Sequence, residues 1–301
     1  MSAERYEAGD DATAADIASL YLRLADCFTE QCSSLIDFFL GCASQSVAHQ
    51  CVERLVTVET PEETLLRLER AVASAPDIAG AFERCIRHEF RLGKHLIENI
   101  DDYDDGPMVD LEPEERPPPR SLLKKNRTIN LFADLYRALI ENSKLPVIKR
   151  TAPAIGEPPK GLARFSSNAF GNYMSSNMGA VTMMQGVSDV GIAQRRMLLV
   201  KVALIRYHKQ HGQLPQKLSD LVPDYLGSVP LDRFDGAPLR YDPIKAAIWM
   251  IGTDLKDSGG ASEPELHSFR SRRPDPTMFV FLRDRKLEAE AEPDPEAEAE
   301  P

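Results

Sequence analysis

Neither a basic n-region nor an apolar h-region opens the sequence, whose first residues are MSAERYEAGDDATAAD, so no secretory leader is expected. The longest apolar-rich stretch, 197–205, is interrupted by Lys201 and stopped by Arg206. That falls far below the ~20 residues of a spanning helix, which excludes a polytopic membrane class. Positive charge is in deficit, with 36 Lys and Arg against 47 Asp and Glu and a net charge of −11. Segments 286–301 and 101–115 hold −6 and −8, which leaves +3 for the rest. A nucleic-acid partner requires positive charge concentrated on one face, and no basic stripe supplies it. The motifs GxSxG, HExxH, Walker loop and GxGxxG are all missing, so no motif names a reaction.

What is present suits a globular chain. Hydrophobic residues make up 43% and charged residues 28%, too apolar for wholesale disorder. At roughly 150 residues per domain, the chain is one large or two ordinary domains. Five cysteines (Cys27, Cys32, Cys42, Cys51 and Cys85) lie near the N-terminus, at spacings that match no zinc pattern. An odd number leaves one unpaired. Two readings follow, buried helix thiols or one or two disulfides in an exported protein.

Periodicity divides the chain. Residues 1–11 read as disordered and 12–100 as a helical region. Ile17, Leu20, Tyr21, Leu24 and Phe28 recur at helical spacing, and Ile36, Phe39, Leu40, Ala43 and Val47 repeat the pattern after Ser33-Ser34. Thr60 as N-cap with Pro61 at the first helical position predicts a third helix, and Asp77 opens a fourth. Such amphipathic helices form a bundle by packing these faces together. Residues 101–120, rich in acids and prolines, read as a linker. Residues 121–186 combine one helix, carrying Ile129, Phe132, Leu135, Tyr136, Leu139 and Ile140 on one face, with an irregular Ser/Asn/Met-rich segment. Residues 187–285 begin with a long spine helix ended by Gly212, followed by strands near 239–241, 247–251 and 278–282. Residues 286–301 are an acidic, low-complexity tail expected to be disordered. The fold class is therefore α+β and mostly α, with a small antiparallel β module last.

Within 188–282 the pattern becomes specific. Tyr207, Gly212 and Pro215 form one turn signature. Leu221, Val222, Pro223, Tyr225, Leu226, Pro230, Asp232, Phe234, Gly236, Pro238 and Tyr241 form a long loop signature, and Gly252, Asp254, Gly259 and Gly260 a third. This stretch resembles the globular part of the major pseudopilins of type II secretion. The whole layout is similar to bacterial envelope proteins with a pseudopilin-like C-terminus. The family's leader and polymerising apolar helix are not in this sequence, so filament formation is not implied, and a membrane anchor would lie outside this chain. Arg233 replaces the proline usual after the loop aspartate.

The resemblance implies an extracytoplasmic location, periplasmic or envelope-associated, with other proteins of an envelope assembly as partners. It also implies a Ca2+ loop at Asp254 and Asp257, with Glu263 and Glu265 beyond. Carboxylates and carbonyls on a glycine-permitted turn suit a hard cation, whereas Lys256 opposes one. A solvated acidic turn is the alternative. His208 and His211, at i and i+3, would hold a metal given a third ligand, or simply sit at the negative end of a helix. The sequence thus reads as a non-enzymatic structural or protein-interaction component. The alternatives are a metal-dependent enzyme centred on the two histidines and a cytoplasmic helical adaptor with reduced thiols.

Overall fold

Ser34 and Asp77 each place a side-chain oxygen on a free helical amide, Ser34 on Asp37 N at 3.1 Å and Asp77 on Ala79 N at 3.1 Å. These caps start two of the helices in the computed structural model, which describes residues 11–74, 77–102, 117–153, 155–176, 179–260 and 275–281. The helices are α1 (Asp11–Glu30), α2 (Leu35–Leu55), α3 (Glu62–Ala73), α4 (Ile78–Glu98), α5 (Lys125–Ser143), α6 (Ala169–Ser176) and α7 (Gly179–His211). Three short strands follow, β1 (Arg240–Asp242), β2 (Ala247–Trp249) and β3 (Thr277–Phe279). They form an antiparallel sheet in the order β1-β2-β3, with Tyr241 opposite Ile248 and Ile248 opposite Met278. The chain is α+β and mostly α. Most of the expected disordered start, the centre of the linker and the acidic tail lie outside the described residues, as do Glu263 and Glu265.

Two hydrophobic cores share one helix. The first joins Leu22, Val52, Leu65 and Leu68 of α1–α3 to Met197, Val200 and Leu204 of α7, and continues into Phe234, Ile248 and Met278 of the β module. The second joins Phe38, Phe82, Ile86, Phe132 and Leu139 to Val181 and Met184 near the start of α7. Between Met197 and Ile205 every residue of α7 except Leu199 is fully buried, Lys201 included. A helix apolar around its circumference must be covered on all sides. Here α2 and α3 cover one side and β2 and β3 another. Among the described residues no helix is long and apolar enough to cross a membrane.

Several expectations are corrected. The spine helix begins at Gly179, because Val181, Met184 and Gln185 have a partner in α5. Gln185 Nε2 donates to the Leu139 carbonyl at 3.0 Å. Ala169–Ser176 is also helical, so much of the segment read as irregular is ordered by α5. Thr60 does not cap α3, since its hydroxyl donates to the Leu55 carbonyl at 2.5 Å and Pro61 holds the N-cap position without a side-chain bond. The largest correction concerns α1 and α2. The side that α1 buries is made of Ala14, Ala15, Ala18, Leu22 and Ala25, and α2 buries Phe38, Cys42, Ala48 and Val52. Small residues let the two helices approach closely, and a Cβ on Gly41 would stand 2.6 Å from Thr29 Oγ1. Of the larger apolar residues assigned to the bundle interior by periodicity, Tyr21 packs at the edge of the core, whereas Leu20, Leu24, Phe28, Ile36, Phe39, Leu40 and Val47 are left outside.

Candidate functional site

The C-terminal loop is built around one arginine. Strand β1 presents Arg240, whose guanidinium lies 2.5 Å from Asp232 and from Asp235 and 2.9 Å from Asp257. Asp232 is buried and also accepts from Phe234 N at 2.8 Å and Ile251 N at 3.0 Å. Burial pushes its carboxyl above the usual range. Asp257 accepts from Trp249 Nε1 at 3.1 Å and Gly259 N at 3.1 Å as well as from Arg240. The Trp249 bond, followed by Arg240, holds its carboxyl below the usual range. Asp254 accepts from Lys256 N at 3.2 Å within its own turn. Asp275 takes the amides of Ser258 and Gly260 at 2.7 and 2.9 Å.

Both expected calcium ligands therefore lie in one turn, but they do not present a free oxygen cage. The carboxylate of Asp257 is engaged by a guanidinium, an indole and an amide, and a calcium ion requires 6–8 oxygens. Among the described residues, Asp254 and Asp257 as arranged do not fit the ion. Among the described residues no three His, Cys, Asp or Glu converge as metal ligands.

His208 and His211 have different neighbours. His208 meets the ring of Phe281 edge-on at 5.2 Å, whereas His211 stacks on Tyr207 at 4.0 Å and places Nδ1 3.0 Å from the Tyr207 carbonyl. An open cleft of about 420 Å³ lies beside His211, lined by Arg206, Tyr207, Gln210, Asp220, Asp224 and Tyr225. Its cation is already partnered. Arg206 bonds Glu62 and Glu69, both at 2.7 Å, and lies 5.5 Å from the centre of the Tyr225 ring.

All five cysteines are free thiols. Cys42 and Cys85 are buried in the second core, and burial pushes the Cys42 thiol up to about 12. Cys32 lies over α4, its sulfur 3.8 Å from the Ala81 carbonyl, and a hydrogen bond from Cys85 lowers its pKa.

Sequence reasoning missed two features. The first is an ion cluster in which Arg150 and Arg233 share the buried Asp189. The cation Arg233, set between Asp232 and Phe234-Asp235 in a loop otherwise apolar, was the available signal. The second is the exposed side of the α1–α2 hairpin. Leu20, Leu24 and Phe28 on α1 and Ile36, Phe39, Leu40 and Val47 on α2 are between 42% and 72% exposed. The signal was residues 35–49, which are apolar or neutral on every face except for Asp37 and His49. One helix with two apolar faces has two partners to satisfy.

Monomers rarely expose contiguous apolar patches beyond a few hundred Å², and larger ones mark interaction surfaces. The ridge on α1 follows spacings of four, and that on α2 spacings of three and four once the exposed Ala43 bridges Leu40 and Val47, so each is continuous along its helix. No family model, curated protein or solved structure matches this chain.

Proposed function

We propose that this chain is a non-enzymatic interaction component of a bacterial envelope or secretion-type assembly, working outside the cytoplasm. The outer side of the α1–α2 hairpin is its assembly surface. One observation carries the reading, namely the exposed apolar ridges on two neighbouring helices whose opposite sides are fully packed. Leaving such side chains in water costs about 25 cal/mol per Å², which a docked surface recovers. The likeness of 188–282 to pseudopilin globular domains supports the envelope setting. In this arrangement α7 and the β module form the scaffold that holds the hairpin.

A photo-crosslinking residue at Phe39 in living cells, compared with one at the exposed control position Ile244, tests the reading. Discrete adducts from position 39, with a second copy of the chain or with another envelope protein, and none from 244 are expected. Fractionation with cytoplasmic markers and no adducts at either position would overturn it.

A further inference from the structure

Resting on that assembly surface, we infer that its occupant is a second copy of this chain, paired hairpin to hairpin about a twofold axis. Area is the first argument. Seven large apolar side chains, each about half exposed at roughly 200 Å² apiece, present on the order of 700 Å² per chain. This exceeds the ~300–600 Å² of a typical monomer's largest patch and approaches the ~800 Å² per partner of a standard interface.

Charge is the second argument. From Leu35 to Val47 the only charged residue is Asp37. The α2 half of the surface, with almost no charge, suits pairing with another like it, since the cores of homodimer interfaces are depleted of charge. A membrane surface fits poorly. Interfacial helices carry Lys and Arg on their polar side, whereas the exposed charges beside these ridges are Asp16, Arg23, Glu30 and Arg54, with no lysine in either helix.

The chain's own remaining segments are the third. Residues 1–10, 103–116 and 282–301 are dominated by acids, prolines and small residues, 261–274 is a polar segment with three arginines, and none of the four contains a helical apolar stripe. None offers a matching ridge. Two antiparallel hairpins packed face to face make a four-helix layer, and a twofold axis closes it without a free end.

Sedimentation equilibrium of the purified full chain tests the inference, with Leu40→Arg as the variant and far-UV circular dichroism as the fold control. The wild type is expected at twice 33.5 kDa. Leu40→Arg should weaken association at least tenfold with unchanged helicity. Should the variant misfold, alkylation of exposed Cys27, which lies beside Leu24 and Phe28 on α1, gives a second readout in the wild type. It should slow as concentration rises. A wild type that stays at 33.5 kDa up to about 100 μM overturns the inference, as does a dimer indifferent to Leu40→Arg or a monomer that floats with lipid vesicles. A monomer that still gives envelope adducts from position 39 would overturn the second copy alone and leave the assembly reading standing.

Discussion

Arg233 donates from Nε to Asp189 Oδ1 at 2.7 Å, joining the loop ahead of β1 to the spine helix. Arg150 grips the same carboxylate through both terminal nitrogens at 2.5 and 2.7 Å. Arg233 also reaches the Ser143 carbonyl at the end of α5. Backbone bonds from Val147 N to the Arg233 carbonyl and from Ile148 N to the Phe234 carbonyl run alongside. The β module is thus locked to the helical body by one buried carboxylate between two cations.

Asp189→Asn should lower stability by about 3–5 kcal/mol, because it leaves two nearly buried guanidinium groups without their counter-charge. Urea unfolding followed by circular dichroism measures this. A loss below about 1 kcal/mol would mean that the cluster does not hold the module.

Gly41→Ala separates packing from propensity. In an open helix this change gains about 1 kcal/mol. Here the new methyl would meet Thr29 Oγ1 at 2.6 Å and Thr29 N at 2.9 Å, so a loss of about 2 kcal/mol is expected from overpacking. The sign of the shift in the urea midpoint decides the matter.

His49 sets an acid limit. It is fully buried, and burial followed by the nearby Arg195 cation pushes its pKa down to about 4. Glu53 and Lys201 lie further along the same contact between α2 and α7, with Lys201 Nζ donating to the Glu53 carbonyl at 3.1 Å. The unfolded histidine takes up a proton near pH 6.5, which the native state refuses until about pH 4. Stability is therefore full above pH 6.5 and falls by about 3 kcal/mol as the pH drops to 4. Denaturant midpoints across this window should show the slope, and His49→Gln should flatten it.

Millimolar calcium should move the melting temperature by less than about 1 °C relative to EDTA. Asp257 already accepts from Arg240 at 2.9 Å and from Trp249 at 3.1 Å. A calcium-specific rise abolished by Asp254→Ala would instead show the ion displacing Arg240 and restore the calcium loop.

Much of the fold was legible in local pattern. Asp77 and Ser34 cap helices where the sequence placed breaks, and Gly212 ends the spine at φ 72°. Phe132, Leu135, Tyr136 and Leu139 are buried on the face that periodicity predicts, with Ile129 and Ile140 half-buried at its edge. Less of the candidate surface was legible. Periodicity finds an apolar side but not its partner, and on α1 a stripe of alanines was the better interior because it lets α2 come closer.

The sequence by itself determined the helix breaks at Ser34, Asp77 and Gly212, that residues 197–205 must be wrapped on all sides, and that acid clusters at 101–115 and 286–301 stand apart in composition. These are properties of neighbouring residues, set by backbone preference and local apolar density. Only the tertiary structure decided which apolar face of α1 and α2 turns outward, that Asp189 gathers Arg150 and Arg233, and that Arg240 takes the carboxylate of Asp257. Each of these depends on groups far apart in the chain, 44 residues for Asp189 and Arg233 and 148 for Glu53 and Lys201 between α2 and α7, competing for the same space and charge. Such competition is resolved only when the whole chain packs.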